Sequence, residues 1–226
     1  MAKYKELRPA VDDEWIAAAM IGDTKTLRRK LAEGTCVDGV DWRGNTALMI
    51  ASGHGRAEAL ALLLAAGSDP GARPDGGVSP TELATFAGDA DCLRQLIDAG
   101  AWLAKSGALA FGMAAIDAAK RGEARCLELL IEAGADIEFQ CDQRIWTPAV
   151  AAAVEGQAKC LSMLLAAGAR LDALDEHGRT IDESASTPEC ARLVAVERAR
   201  RQSLLEAGEM ADELPQAARA YRLTRL

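Results

Sequence analysis

The sequence predicts an all-α fold of stacked helix–turn–helix units, and three observations predict it. Glycines fall at 22, 55, 88, 122 and 156, with spacings of 33, 33, 34 and 34. A second glycine series at 34, 67, 100, 134 and 168 keeps the same spacings, always 12 residues behind the first. Side chains hold register with the glycines. Alanine stands four residues before each first-series glycine (Ala18, Ala51, Ala84, Ala118, Ala152), and leucine five after it (Leu27, Leu60, Leu93, Leu127, Leu161). A period of 33–34 residues carried this far marks a repeat architecture, in which one unit buries its apolar face only against the next.

Each segment of the unit has a physical reading. The alanine-rich stretch before the first glycine suits a short, thin helix, which the glycine ends by turning left-handed. The next dozen residues place apolar side chains at i, i+3, i+4, i+7 and i+8, the pattern of an amphipathic helix. Four units carry apolar pairs at its end: Leu63-Leu64, Leu96-Ile97, Leu130-Ile131 and Leu164-Leu165. The second glycine closes that helix. The polar segment that follows, rich in Asp, Gly and Pro, reads as a turn or hairpin.

The residues that fill this frame resemble the ankyrin repeat. Asp41-Trp42-Arg43-Gly44-Asn45-Thr46-Ala47-Leu48 opens a unit that runs through Ala51, His54 and Gly55 to Ala65-Ala66-Gly67-Ser68-Asp69. Thr147-Pro148 and Ala133-Gly134-Ala135-Asp136 match other parts of the pattern, and Asp175-Glu176-His177-Gly178-Arg179-Thr180 opens a degenerate last unit. The resemblance spans about residues 9 to 200. It implies an ankyrin-repeat solenoid of paired antiparallel helices with short hairpin fingers at right angles. Units are placed near 9–40, 41–73, 74–107, 108–141, 142–174 and 175–201, the first and last as caps. The domain reading is a repeat domain over 1–201 and a C-terminal helical extension over 202–226, built around Leu204, Leu205, Met210 and Leu214 and expected either to pack as an extra cap or to order on a partner.

Composition narrows the function. Half of the 226 residues are hydrophobic and mean hydropathy is -0.02, a core-forming composition. No stretch approaches the ~18 uncharged apolar residues of a membrane span, and the start, MAKYKELRPAVDDEW, shows no secretory signal. The expectation is a cytoplasmic protein without a membrane role. Net charge is -8, which argues against a nucleic-acid partner, whose phosphates call for a basic face. An acidic body suits a basic protein partner, such as a basic enzyme. The 47 alanines give the chain a bacterial character.

Chemistry is hard to place. The six cysteines include no CxxC and the two histidines stand 123 positions apart, so neither a zinc site nor another cofactor is expected. Cys92, Cys126 and Cys160 recur in register, four residues after a first-series glycine, where Thr26 and Ala59 stand in earlier units. This is a small slot in the core, and buried cysteine serves there as a small hydrophobe. Gly53-His54-Gly55 lacks the third glycine of a dinucleotide fingerprint and follows no strand. No catalytic residues are assigned and the chain is read as non-enzymatic.

The resemblance implies binding through finger tips and the exposed side of the first helices. Candidate partner-binding residues on the fingers are Trp42, Arg43, Asp75, Arg144 and His177. A second group comes from the fourth unit, where apolar Ala108-Leu109-Ala110-Phe111 replaces the polar finger. Trp102, Leu109, Phe111, Ile145 and Trp146 are expected either to form an exposed apolar patch or to bury one another along a longer helix from Ser106 to Lys120. The resulting expectation is a protein–protein interaction module, monomeric in isolation. Its alternatives are a dedicated inhibitor of a bacterial toxin or enzyme, and a scaffold with several partners.

Overall fold

The computed structural model describes residues 12–73, 77–103, 107–140 and 146–206. The expected C-terminal extension lies outside these residues beyond Glu206. The described residues form helices, one 3-10 turn and no strand, with isolated β-bridges pairing Val40 with Thr46 and Leu174 with Thr180. Every glycine of both series has positive φ, between 63° and 99°, as their role in ending helices requires. The ten alanines and leucines held in register are all buried. The chain divides into two compact units, Met1–Ala114 and Ala115–Leu226.

In the first unit, α1 (Asp13–Ile21) pairs with α2 (Thr24–Ala32), α3 (Ala47–Gly53) with α4 (Ala57–Ala65), and α5 (Pro80–Phe86) with α6 (Ala90–Asp98). α1 packs on α3 and α3 on α5, while α2 packs on α4 and α4 on α6. The sequence starts five of these six helices with a side-chain cap, α4 being the exception, because the first backbone N–H groups of a helix have no partner within it. Asp12, Asp23, Thr46, Ser79 and Asp89 each accept from a backbone N–H of the first turn. Fingers are tied to each other as well. Asp38 accepts from the backbone N–H of Asp69, one repeat on, at 3.1 Å.

α7 (Gly107–Arg121) runs across the division between the units. The longer helix foreseen for the fourth unit therefore forms. The second unit continues with α8 (Ala124–Glu132), α9 (Pro148–Val154), α10 (Ala158–Ala166), α11 (Ile181–Ser184) and α12 (Pro188–Glu206). α9 packs on α10 and α11, and α10 on α8 and α12. Glu138 accepts from Arg170 N–H at 2.7 Å, the same register as the Asp38 tie.

Cys92, Cys126 and Cys160 are buried in the core slot, at 0–1% exposure. Burial, aided by the charge of Asp89, pushes the Cys92 thiol up to about 12, and burial pushes Cys160 up to about 11. Thiolate is the reactive form, so these groups are inert. In a Cys141→Ser background, a thiol reagent at pH 8 is expected to modify exposed Cys36 promptly, and Cys92, Cys126, Cys160 and buried Cys190 only on unfolding. Prompt labelling of Cys92 or Cys160 would contradict the packing.

Candidate functional site

The finger of residues 40–46 is shaped by one carboxylate. Asp41 Oδ1 accepts from the backbone N–H groups of Arg43 and Asn45, each at 2.8 Å, and its Oδ2 accepts from Asn45 Nδ2 at 3.1 Å. With Gly44 left-handed, the turn closes and leaves Trp42 and Arg43 exposed at its tip. Trp42 is 76% exposed, and the Arg43 guanidinium lies over its ring, 4.4 Å from the centroid.

The last finger repeats that geometry. Asp175 accepts from His177 and Arg179 N–H, from the Arg179 guanidinium at 2.7 Å and from the Ser184 hydroxyl at 2.9 Å. Burial works against the charge of Asp175, but these bonds outweigh it and hold the carboxyl well below the usual carboxylate range. The sign of the consequence follows. A depressed folded value stabilises fully above the unfolded one, near 3.8, and is lost as pH falls through and below it. The melting temperature is expected to fall on acidification from neutrality to about pH 3. Asp175→Asn lowers it at neutrality and makes the acid decline shallower. An equally steep decline in the variant would contradict this assignment. His177 is exposed beside Glu176, 3.7 Å away.

The other candidate residues separate. Trp102 and Leu109 are exposed. Phe111 is 3% exposed, so the expectation of a docking role for it is corrected: it is a core residue of its unit. The reason is helical geometry, since residues two apart on a helix point about 200° apart, and Leu109 takes the open side of α7. Trp146 is half-buried, with Lys120 Nζ 5.9 Å from its ring centroid and also 3.6 Å from Glu155. Asp75, Arg144 and Ile145 lie outside the described residues.

Comparison with known families agrees with this geometry. A family model described as ankyrin repeats, three copies, matches residues 15–108, 82–175 and 115–198. This chain belongs to the ankyrin repeat family. An ankyrin repeat domain from Acinetobacter baumannii AYE superposes with a TM-score of 0.71 at 28% identity, covering 81% of this chain and 97% of that one. A chain in the structure of the predatory endopeptidase Bd0816 from Bdellovibrio bacteriovorus in complex with immunity protein Bd3460 superposes with a TM-score of 0.70 at 20% identity, covering 82% and 98%. Among curated proteins, the inactive serine/threonine-protein kinase TEX14 of Mus musculus is 35% identical over 79 residues. The match takes in 35% of this chain and 5% of that protein.

Ankyrin repeats are protein–protein interaction modules, and aligning these repeats exposes residues that a focus on fingers overlooked. The two positions before each first-series glycine end the first helix of the repeat. They hold Met20 and Ile21 in α1, Gly53 and His54 at the end of α3, and Phe86 and Ala87 at the end of α5. Ile21 is 65% and Phe86 57% exposed. The same positions in the second unit hold Lys120 and Arg121, then Val154 and Glu155. The signal was present in the sequence, as apolar residues standing where the fourth repeat carries Lys120 and Arg121.

None of the helices built from described residues is long and apolar enough to cross a membrane.

Proposed function

We propose that this chain is a non-catalytic, cytoplasmic protein-binding module whose partner docks on the unit Met1–Ala114. One observation carries the reading. Of nine large apolar side chains left exposed among the described residues, seven belong to this unit: Met20, Ile21, Trp42, Val78, Phe86, Trp102 and Leu109. Met20, Ile21 and Phe86 stand at the ends of first helices, Trp42 on a finger, Val78 just before α5, Trp102 in the 3-10 turn and Leu109 on the open side of α7. Exposed aromatic and aliphatic groups that cluster in register mark interaction sites, and tryptophan and arginine are frequent anchors there. Trp42, Arg43, Ile21 and Phe86 are the proposed centre, with Trp102 and Leu109 as further contacts.

The test is cross-linked capture of partners from the native cell by wild type and by Ile21→Ser/Phe86→Ser. Both side chains are exposed, so the variant is expected to melt within a few degrees of wild type and to lose its dominant partner. A variant that keeps the partner would refute the assignment to this unit.

A dedicated inhibitor of one basic enzyme is the finer alternative, favoured by the net charge of -8. In the Bdellovibrio structure an endopeptidase is held by an immunity protein, and at 20% identity that likeness bears on fold alone. An inhibitor suppresses its captured enzyme at one-to-one stoichiometry, whereas a scaffold leaves activity unchanged.

A further inference from the structure

We infer that the tip of the finger at residues 40–46 recognises a protein segment presenting a carboxylate beside an apolar side chain. This rests on the reading of the chain as a protein-binding module and adds the chemistry of the contact.

The argument starts from which groups the tip offers. The described carboxylates on and beside this finger are turned to internal work. Asp41 closes its own turn through three hydrogen bonds, Asp38 holds the backbone N–H of Asp69, and Asp69 accepts from Gly71 N–H at 2.9 Å. The exposed groups of the tip are then the indole of Trp42 and the guanidinium of Arg43. Among the described residues Arg43 makes no ion pair, and its side chain has one interaction, the stack on Trp42. The other finger arginine of this unit, Arg73, is spent on Glu82 at 2.6 Å.

A guanidinium carries five N–H donors in a plane and no acceptor, and its fork matches a carboxylate with two parallel hydrogen bonds. Stacking fixes the plane of that fork while leaving its edges open. It also reduces the rotamer freedom the side chain has left to lose on binding. The Trp42 ring beside it provides a broad apolar surface, 76% exposed. A partner group that fits both at once carries an acceptor pair next to an aliphatic or aromatic side chain. The net charge of the chain acts at longer range and governs encounter, whereas the directional donors of the tip select the group in contact. A partner that is basic as a whole still meets this tip with a carboxylate.

The probe is a phage-displayed library of random peptides of about a dozen residues, selected on the full-length chain. Enriched peptides are expected to pair Asp or Glu with an adjacent Leu, Phe, Trp or Tyr. Synthetic copies should bind Arg43→Ala about tenfold or more weakly, and Arg43→Lys with an intermediate loss, since the charge stays and the fork goes. Selection on Arg43→Glu should enrich Lys or Arg instead. The Arg43 variants are expected to melt with wild type, because among the described residues the side chain has no partner but Trp42.

Peptides enriched in Lys or Arg on wild type, equal binding by Arg43→Ala, or no enrichment at all would overturn the inference. Peptides indifferent to Arg43 but lost by Ile21→Ser/Phe86→Ser would overturn it while leaving the docking reading intact. Peptides indifferent to both would count against the docking reading as well.

Discussion

Arg73→Ala is expected to cost about 3–5 kcal/mol of stability, the usual consequence of leaving a buried carboxylate without its cation. Glu82 is 4% exposed and accepts from Arg73 at 2.6 Å, from Ser79 N–H at 2.9 Å and from the Ser79 hydroxyl at 2.7 Å. It serves as the third helical residue of the Ser79 capping box, so one carboxylate both starts α5 and tethers the chain before it. The position is unusual for this repeat. Six residues before the first-series glycine, other units bury Met49, Ile116 and Val150. The double change Arg73→Met/Glu82→Met should therefore recover much of the loss, because replacing both members of a buried pair by apolar groups is often near neutral. For a chain of this size the single variant is expected to melt about 6–20 °C lower. A loss under about 1 kcal/mol, read by chemical denaturation, would show that Glu82 does not depend on its arginine.

Gly156→Ala is expected to cost about 2–5 kcal/mol, while Gly134→Ala costs about 1–2 kcal/mol. Both glycines are left-handed, with φ of 72° and 83°, and that conformation costs an L-residue about 1–2 kcal/mol. A Cβ at Gly134 meets no heavy atom within 4 Å. At Gly156 it would stand 2.8 Å from Thr187 Cγ2 and 2.9 Å from Ser186 Oγ. These are short side chains on backbone held in place, since Ser186 N–H donates to the Ala153 carbonyl at 3.0 Å. Relieving the overlap adds about 1–3 kcal/mol of overpacking strain. Equal losses in the two variants, measured by denaturant titration, would mean that the chain around Ser186 gives way freely.

Much of the fold was legible because it rests on two local requirements that repeat. A helix end needing positive φ selects glycine, and a helix–helix contact of fixed depth selects alanine or leucine. Each leaves one residue type at one register, and Ala18 through Ala152 and Leu27 through Leu161 are buried as that reasoning expects. The recurring cysteines fell to the same argument.

The site was less legible, since exposure depends on which side of a helix faces its neighbours. Leu109 and Phe111 read alike in sequence, as apolar residues replacing a polar finger. They part only because α7 starts at Gly107 and turns one outward and the other inward. Ile21 and Phe86 went unnoticed for the opposite reason. An apolar residue at a helix end looks like core until the repeats are aligned and its counterparts prove to be Arg121 and Lys120. Trp42 was visible from its finger position in the repeat, but its pairing with Arg43 needed the turn that Asp41 builds.

The measurement that bears most directly on the central claim is hydrogen–deuterium exchange of the full-length chain, free and bound to its captured partner. Exchange reports on the backbone, so it reads the docking face without altering any side chain. Protection confined to the first unit, around Ile21, the finger of residues 40–46, His54 and Phe86, is the result the account predicts. Protection confined to Ala115–Leu226, with the first unit exchanging as in the free chain, would contradict it.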